Sequence, residues 1–491
     1  MMLLLLQRGF SQGTTKILLE KADTWAYNAD LGKDIQRIIG NVILSHDSTI
    51  LYCDSAYLNE VLNNVVAFGN VHIKVSDTLN LFSDSLKYDG NTRIARMKSN
   101  VRLIDNETLL TTDTLMYNRS TQVAQYDDWG KIRNKQNNLV SKHGFYHTDN
   151  KEFLFKEKVI LMNPNYIMHS DTLLYNTVTE TSFFLGPSNI KGKEDSIYCE
   201  NGWYDTRTDK ARFRKNAEIY HTSQILTGDS IYYERQSGFG QVFRHAVLRD
   251  TLKDILLCGN YGEIRRLAGK AFMTDSALAV MIEKKDSLFI HSDTLHATFD
   301  TADNIRNIFA YYKVKFFRKD LQGKCDSLVY HGVDSVMMMY HEPVMWSEKN
   351  QLTGDSISLA IHNSEADSMV MYTTAFIISK DDTNKFNQVK GRDMIAYFKN
   401  NEIHKIKVLG NSETIYYMRE EDHSLIGINK VMASDMLIFL EKNEVKSLTY
   451  IDQPKATLYP EKDISPYDLK LKGFQWSEEK RPMKKEDIFH W

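Results

Sequence analysis

Cysteine, proline and an excess of either charge are what this 491-residue sequence has least of. It contains 7 prolines and 4 cysteines. Its 61 Lys and Arg against 64 Asp and Glu leave a formal net charge of -3, so no basic field exists to hold a phosphate backbone. We expect no nucleic-acid partner. The cysteines form no CxxC pair, which argues against a zinc site, and they are too far apart for a disulfide-stapled scaffold: Cys53, Cys199, Cys258 and Cys325.

Long apolar runs and enzyme motifs are also missing. No stretch approaches the roughly 20 apolar residues that span a bilayer. HExxH and GxSxG do not occur, and LAGKAF at Leu267 lacks both the Ser or Thr after Lys270 and the upstream glycine of a Walker loop. The sequence therefore predicts no catalytic residue, no metal and no cofactor.

The first twelve residues, MMLLLLQRGFSQ, are an apolar run followed by small and polar residues. They resemble the end of a secretory signal peptide, but the charged n-region is absent and the apolar core is short. Residues 1–12 are therefore either an incomplete export signal or an ordinary N-terminus. We expect export.

One short motif recurs along most of the chain: a small or polar residue, Asp, Ser or Thr, an apolar residue, any residue, then an aromatic or apolar one. Examples are SDSLKY at Ser83, TDTLMY at Thr112, SDTLLY at Ser170 and CDSLVY at Cys325. The first copies are 30 and 29 residues apart, and two later steps of 58 are double periods. In the gaps, HGFYH and NGWYD are degenerate copies that place Phe145 and Trp203 in the apolar column.

A second element lies between the copies, as in FGNVHIKVSD at Phe68 and IGNVILSHDS at Ile39. Apolar and polar residues alternate after a Gly-Asn turn, which indicates a strand with one buried face. A period of about 29 residues then has room for roughly four short strands. The sequence thus predicts an all-β, elongated and repetitive β-solenoid.

The residues two and four after the motif Asp share one face of their strand and form an apolar stripe. Pattern alone leaves a packed core and a ligand-lined groove equally supported. The Asp itself is expected to accept backbone N–H bonds at a turn; a calcium ladder would need six to eight oxygens around each ion.

The repeat loosens after about residue 375, and the strands are expected to stop near Tyr459. We predict a β-repeat region over residues 13–459. Residues 460–491 form a charged C-terminal tail with Phe474 and Trp476, read either as a cap for the last rung or as a docking peptide.

The Gly69-Asn70-Val71 turn and strand, repeated as Gly40-Asn41-Val42 and alternating with the small-Asp-x-apolar-x-Tyr strand, resembles the OstA-like (organic solvent tolerance) family. That family includes periplasmic lipopolysaccharide-transport proteins of the LptA and LptD N-terminal-domain type. The resemblance covers most of residues 24–375. This chain is several times longer than the compact members and lacks the outer-membrane barrel of the translocon members.

The resemblance implies a fold of two antiparallel sheets folded over each other, a β-taco or open β-jelly roll, whose apolar interior receives the acyl chains of lipid A. It also implies a location in the periplasm, either free or peripherally associated with the outer membrane. Implied partners are lipopolysaccharide, the inner-membrane export complex, the outer-membrane translocon and further copies joined head to tail. The expected groove residues are Val71, Ile73, Leu86, Tyr88, Leu115, Tyr117, Leu173, Tyr175, Ile231, Tyr233, Leu328, Tyr330, Ile357, Ile395 and Leu437.

Three functions remain open from the sequence. The leading one is a lipid-conducting bridge or chaperone for lipopolysaccharide, and its rival is a structural or adhesive solenoid whose core is closed by its own side chains. A polysaccharide-cleaving enzyme is third, and it would need paired carboxylates on one exposed face. An open apolar seam would favour the first function, and a packed, dry core the second.

Overall fold

The protein is described by a computed structural model that covers residues 15–27, 32, 34–283, 286–362, 365–420, 422–441 and 444–491. The predicted export signal, residues 1–12, lies outside these residues. The described elements are β-strands and three short 3-10 turns, Arg266–Ala268, Glu478–Lys480 and Lys485–Phe489. The predicted all-β fold is confirmed. The chain forms two compact units, Met1–Ala217 and Glu218–Trp491.

The first unit contains runs of long strands of 11 or 12 residues separated by runs of short strands of 4 or 5. In chain order they are β1 Leu18–Lys21, β2 Thr24–Tyr27, β3 Ile35–His46, β4 Thr49–Asn59, β5 Asn64–Lys74, β6 Leu79–Asp89, β7 Ile94–Asp105, β8 Thr108–Asn118, β9 Val123–Tyr126, β10 Gly130–Asn134, β11 Asn137–Ser141, β12 His143–His147, β13 Glu152–Asn163, β14 Tyr166–Asn176, β15 Thr181–Phe184, β16 Ser188–Lys191, β17 Asp195–Cys199, β18 Asn201–Asp205 and β19 Lys210–His221, which includes the boundary.

The second unit begins with long strands and continues with shorter ones. They are β20 Gln224–Glu234, β21 Phe239–Asp250, β22 Ile255–Arg265, β23 Lys270–Met281, β24 Leu288–Phe299, β25 Ile305–Arg318, β26 Leu321–His331, β27 Val336–Tyr340, β28 Val344–Ser347, β29 Asn350–Thr353, β30 Ser356–His362, β31 Glu365–Tyr372, β32 Phe376–Asp382, β33 Lys385–Lys390, β34 Asp393–Lys399, β35 Glu402–Leu409, β36 Ser412–Arg419, β37 Leu425–Ala433, β38 Asp435–Glu441, β39 Glu444–Ile451 and β40 Lys455–Tyr459.

Each long strand turns a corner near its middle. In the β3–β4 pair the register shifts between Ile39 and Val42, where Gly40 and Asn41 both have positive φ, +81° and +44°. Such a bulge bends the strand without ending it. Similar pairs of left-handed residues occur at 69–70, 99–100, 157–158, 215–216, 244–245, 275–276 and 312–313.

The corner divides every long strand between two antiparallel walls. In the first unit, wall A contains the paired halves 35–39, 55–59, 64–68 and 85–89 and their successors, and wall B contains 42–46, 49–53, 71–74 and 79–83 and theirs. In the second unit, wall A begins with 230–234 and 239–243, and wall B with 224–227 and 246–250. The period predicted to hold four short strands thus holds four half-strands. From β9 to β12 the corner interrupts the strands, and the four halves are separate elements.

Side chains clasp the corners together. Asp54 accepts a 2.9 Å hydrogen bond from the side-chain amide of Asn70, and Asp84 accepts one of 2.7 Å from Asn100. At these two positions the donor is a side-chain amide, whereas a backbone N–H was expected. A backbone donor is found at Asp393, which accepts from the N–H of Thr373 at 3.0 Å. Each clasp ties a strand to the corner of the next strand.

Candidate functional site

The inner faces of the two walls form the candidate site. The predicted residues Leu86, Leu115, Leu173, Ile231 and Leu328 are all buried there, each at most 3 % exposed. Val71, Ile73, Tyr117, Tyr175, Tyr233 and Ile357 are buried as well. Tyr88 and Tyr330 are half-buried. Tyr330 is paired with the buried Ile308 and Met337, so it faces the interior from the rim.

Ile395 and Leu437 do not belong to this interior. Both are half-buried, while their neighbours Met394, Met436 and Ile438 are buried. The prediction was wrong because it aligned the repeats on Asp.

The buried small residue before the corner is the true anchor of the repeat. Gly354-Asp355-Ser356 corresponds to Gly391-Arg392-Asp393, so the Asp of the late copies has moved one place along the strand. A one-residue slip turns every following side chain to the other face.

A tyrosine recurs on the inner face of wall A every 29 residues, at 88, 117, 146, 175, 204 and 233. Phe145 and Trp203, which the repeat pattern predicts in the apolar column, are only half-buried. Tyr146 and Tyr204 are the buried residues, at 1 % exposure each. The constant spacing was the signal that could have identified them. In these two copies glycine occupies the position of the column leucine.

Two hydroxyls of this tyrosine column, those of Tyr146 and Tyr175, bridge the seam, the side of the molecule opposite the corners, whereas Tyr204 donates to Asp209 within its own hairpin. Tyr146 donates a 2.7 Å hydrogen bond to Asp105 at the end of β7. Tyr175 donates to Asn134 and accepts from Asn137, both at 2.9 Å. Wall A and wall B are thus joined covalently at the corners and through polar side chains at the seam.

Asp105 is a buried acidic member of the seam. Its side chain is fully buried, and it also accepts a 2.6 Å bond from Lys151. A buried carboxylate is tolerated only when charged or polar donors satisfy it. Burial and the Asp105 carboxylate both raise the pKa of the Tyr146 phenol, so this phenol remains a proton donor at physiological pH.

At the start of the first unit the seam is held by a charged cluster. Arg119 donates to Asp47 at 2.8 Å, and Arg93 lies 3.2 Å from the same carboxylate. The Thr15 hydroxyl, which donates to Asp47 at 2.6 Å, lowers the pKa of this carboxyl, and His46, Arg93 and Arg119 lower it further. His46 in turn lies 2.6 Å from the Tyr88 hydroxyl.

In the second unit the seam is bridged partly by backbone groups. The buried carboxylate of Asp250 in wall B accepts a 2.6 Å bond from the N–H of Ile305 in wall A. Arg266, directly after the wall A end of β22, donates a 3.2 Å hydrogen bond across the seam to Gln224 in wall B. The seam of each unit is therefore closed by hydrogen bonds.

The interior between the walls is filled by side chains. Behind the charged cluster is a small apolar cavity of about 30 Å³, lined by residues that include Leu44, Leu51, Leu86 and Tyr117. Tyr126 occupies the space that side chains at Gly130 and Gly144 would need, since a Cβ at either would lie within 2.5 Å of its ring. The described interior is closed and packed.

The remaining candidate groups are not assembled into a reactive centre. All four cysteines are free. Among the described residues no three His, Cys, Asp or Glu side chains are placed to hold a metal ion. Within the same residues, no helix has the length and apolar character of a membrane span.

Comparison with known proteins gives a family for part of the chain. Residues 14–171 match the family model described as OstA-like protein. This stretch is similar to the OstA-like family. It includes the charged cluster around Asp47, the Asp105–Tyr146 bridge and the first three tyrosines of the tyrosine column.

Beyond the family model, the sequence matches no curated protein. Among solved structures, it is similar to the crystal structure of LptH from Pseudomonas aeruginosa, titled the LptA homologous periplasmic component of the conserved lipopolysaccharide transport device. The likeness has 10 % sequence identity, covers 29 % of this chain and 100 % of LptH, and has a TM-score of 0.23.

Proposed function

We propose that this protein is a non-enzymatic periplasmic lipid carrier that binds the acyl chains of lipopolysaccharide between wall A and wall B and helps move it from the inner to the outer membrane. The observation that carries the proposal is the construction of the seam in an OstA-like chain. Two apolar faces meet along a line that is bridged by hydrogen bonds and ion pairs of polar side chains. Such an interior can open sideways to admit a chain and close again.

The energies favour opening when a ligand is present. A hydrogen bond between side chains contributes about 1 kcal/mol net, and one to a charged group about 1.5–3 kcal/mol. Opening two or three adjacent bridges therefore costs roughly 5 kcal/mol. Burying an acyl chain returns about 0.8 kcal/mol per CH₂, so about six methylenes offset that cost. Without lipid, the closed state is the stable one.

Lipopolysaccharide transport also implies partners at both ends, in the inner-membrane export complex and the outer-membrane translocon. The end strands suit such contacts. β1 and β2 each pair only with β3, and β40 pairs only with β37, so each has an edge without a described partner strand. An open edge can accept a further strand from another chain, including a second copy joined head to tail.

Site-specific photo-crosslinking in living cells tests the proposal. A photoreactive residue at Leu115, which faces the interior, should form an adduct with lipopolysaccharide. The same residue at Met116, which faces outward in the same strand, is the matched control and should form none. Equal adduct yields at both positions, or none at Leu115, would contradict a lipid path between the walls.

The rival function, a structural solenoid with a closed core, is favoured by the packed interior around Tyr126. It predicts that purified protein gains no stability from lipopolysaccharide. A carrier should instead unfold at a higher temperature with added lipopolysaccharide than with added polysaccharide that lacks lipid A, because only a ligand of the folded state stabilises it.

A further inference from the structure

The C-terminal segment, residues 461–491, contains no strand and lies against the outside of wall B in the second unit. Gln351 shows which face it covers. The next residue, Leu352, is fully buried toward the interior, so Gln351 points outward because side chains alternate along a strand. Gln351 is nevertheless only 1 % exposed, since the segment covers it.

The covered face carries a row of residues in which glutamine alternates with an apolar side chain. The row crosses six strands through directly paired positions: Gln322, Trp346, Gln351, Ile378, Gln388 and Ile415. We call it the glutamine row. Its apolar members would form an exposed patch if the segment left.

Two glutamines of the row bind the backbone of the segment in the same way. Gln388 donates to the carbonyl of Leu469 at 2.8 Å and accepts from the N–H of Leu471 at 2.9 Å. Two strands away, Gln351 donates to the carbonyl of Gln475 at 2.6 Å and accepts from the N–H of Ser477 at 2.8 Å. A primary amide that spans the carbonyl of residue n and the N–H of residue n+2 recognises an extended peptide whatever its side chains.

Side chains of the segment add selectivity. Trp476 and Phe474 pack on Phe386, with ring centroids 5.2 and 5.4 Å apart. Arg481 donates twice to Gln322, at 2.6 and 2.8 Å. The Lys324 ammonium lies over the Trp491 ring, 4.7 Å from the ring centroid. The segment therefore has the contacts of a bound peptide along its whole length.

We propose that the glutamine row is a peptide-binding groove and that residues 461–491 are its ligand, held as a separable strap. The groove recognises this segment in trans as well as in cis. A second copy of the chain supplies the same ligand.

The test keeps the full chain and inserts a specific protease site between Lys462 and Asp463, which are exposed. After cleavage, the released segment should exchange with a labelled peptide of residues 461–491, measured by fluorescence anisotropy. A Q351A/Q388A variant loses four backbone hydrogen bonds and should bind the peptide at least 100-fold more weakly. Q241A removes a hydrogen-bonding glutamine outside the groove and should leave binding unchanged.

Peptide variants separate recognition from general stickiness. A W476A peptide should compete at least tenfold more weakly than the unaltered peptide, whereas a Y467A peptide should compete equally, because Tyr467 is 93 % exposed. No exchange after cleavage, or equal competition by the W476A and Y467A peptides, would overturn the proposal. Circular dichroism of each protein variant establishes that its strands are intact.

Discussion

The seam bridge at Asp105 offers the sharpest test of how the walls are held together. In an Asp105→Asn variant, Tyr146 can still donate to the amide oxygen, but Lys151 loses its charged acceptor. A hydrogen bond to a charged group contributes about 1.5–3 kcal/mol. Lys151 is 26 % exposed and regains some hydration, so we expect the free energy of seam opening to fall by about 2 kcal/mol.

Opening should be read locally, because each unit of a repetitive fold mainly contacts its neighbours and can open without global unfolding. Hydrogen exchange followed by mass spectrometry reports this directly. A loss of about 2 kcal/mol corresponds to roughly 30-fold faster exchange at the seam ends of β7 and β12. Exchange near the corners of the same strands should change little.

The matched control is Asp113→Asn, which alters an exposed carboxylate on the next strand, β8. It should leave exchange at the seam unchanged. If D105N accelerates exchange at the seam by less than threefold, or no more than D113N does, the polar bridges do not hold the walls and packing alone closes the interior. A D105N/Y146F double variant should lose less than the sum of the single losses, because Asp105 and Tyr146 belong to one hydrogen-bonded network.

Three further predictions concern other parts of the molecule. The pKa of Asp47 in the folded protein lies below its ordinary value of 3.8. The contribution of this carboxylate to stability is therefore complete above pH 3.8 and is lost as the pH falls through the folded pKa. Exchange protection near Thr15 should fall from pH 5 to pH 3, and D47N should abolish that change. Burial raises the pKa of Cys199 to about 12, so native protein at pH 8 should be alkylated first at the half-buried Cys258, as peptide mapping would show, and preferential labelling of Cys199 would contradict its burial. Asn100 has a φ of +53° and its side chain bonds the neighbouring strand. N100A should therefore lower the thermal midpoint more than N100G, which loses the same hydrogen bond but tolerates positive φ. Equal losses would mean that alanine adopts this φ without strain.

The early repeats could be predicted because one local rule governs them. Around Leu86 and Leu115, the distance from the motif Asp gives the inward face correctly, since the strand period of two is fixed by backbone geometry. The same rule failed at Ile395 and Leu437, where the Asp moved by one residue and the small anchor residue did not. It also failed at Phe145 and Trp203, where the apolar residue chosen was next to the inward tyrosine.

The corners and the seam could not be predicted from local sequence patterns. The sequence shows Gly-Asn at three of the left-handed corners, 40–41, 69–70 and 410–411, yet most corners use pairs such as Glu157 and Lys158 at φ of +60° and +53°. These residues do not favour that region on their own; pairing with the neighbouring strands imposes it. Likewise, Tyr146 and Asp105 are 41 residues apart, and no local pattern relates them.

By itself the sequence determined the strand content, the period of 29 residues and the apolar column, because alternation and turn chemistry act over a few residues. Only the tertiary structure decided that the strands bend instead of ending, that tyrosine hydroxyls close the seam, and that the C-terminal segment lies on the outside of wall B. The physical reason is that each of these depends on groups from distant rungs meeting in space, where burial makes an unpaired polar atom costly and so selects the partner.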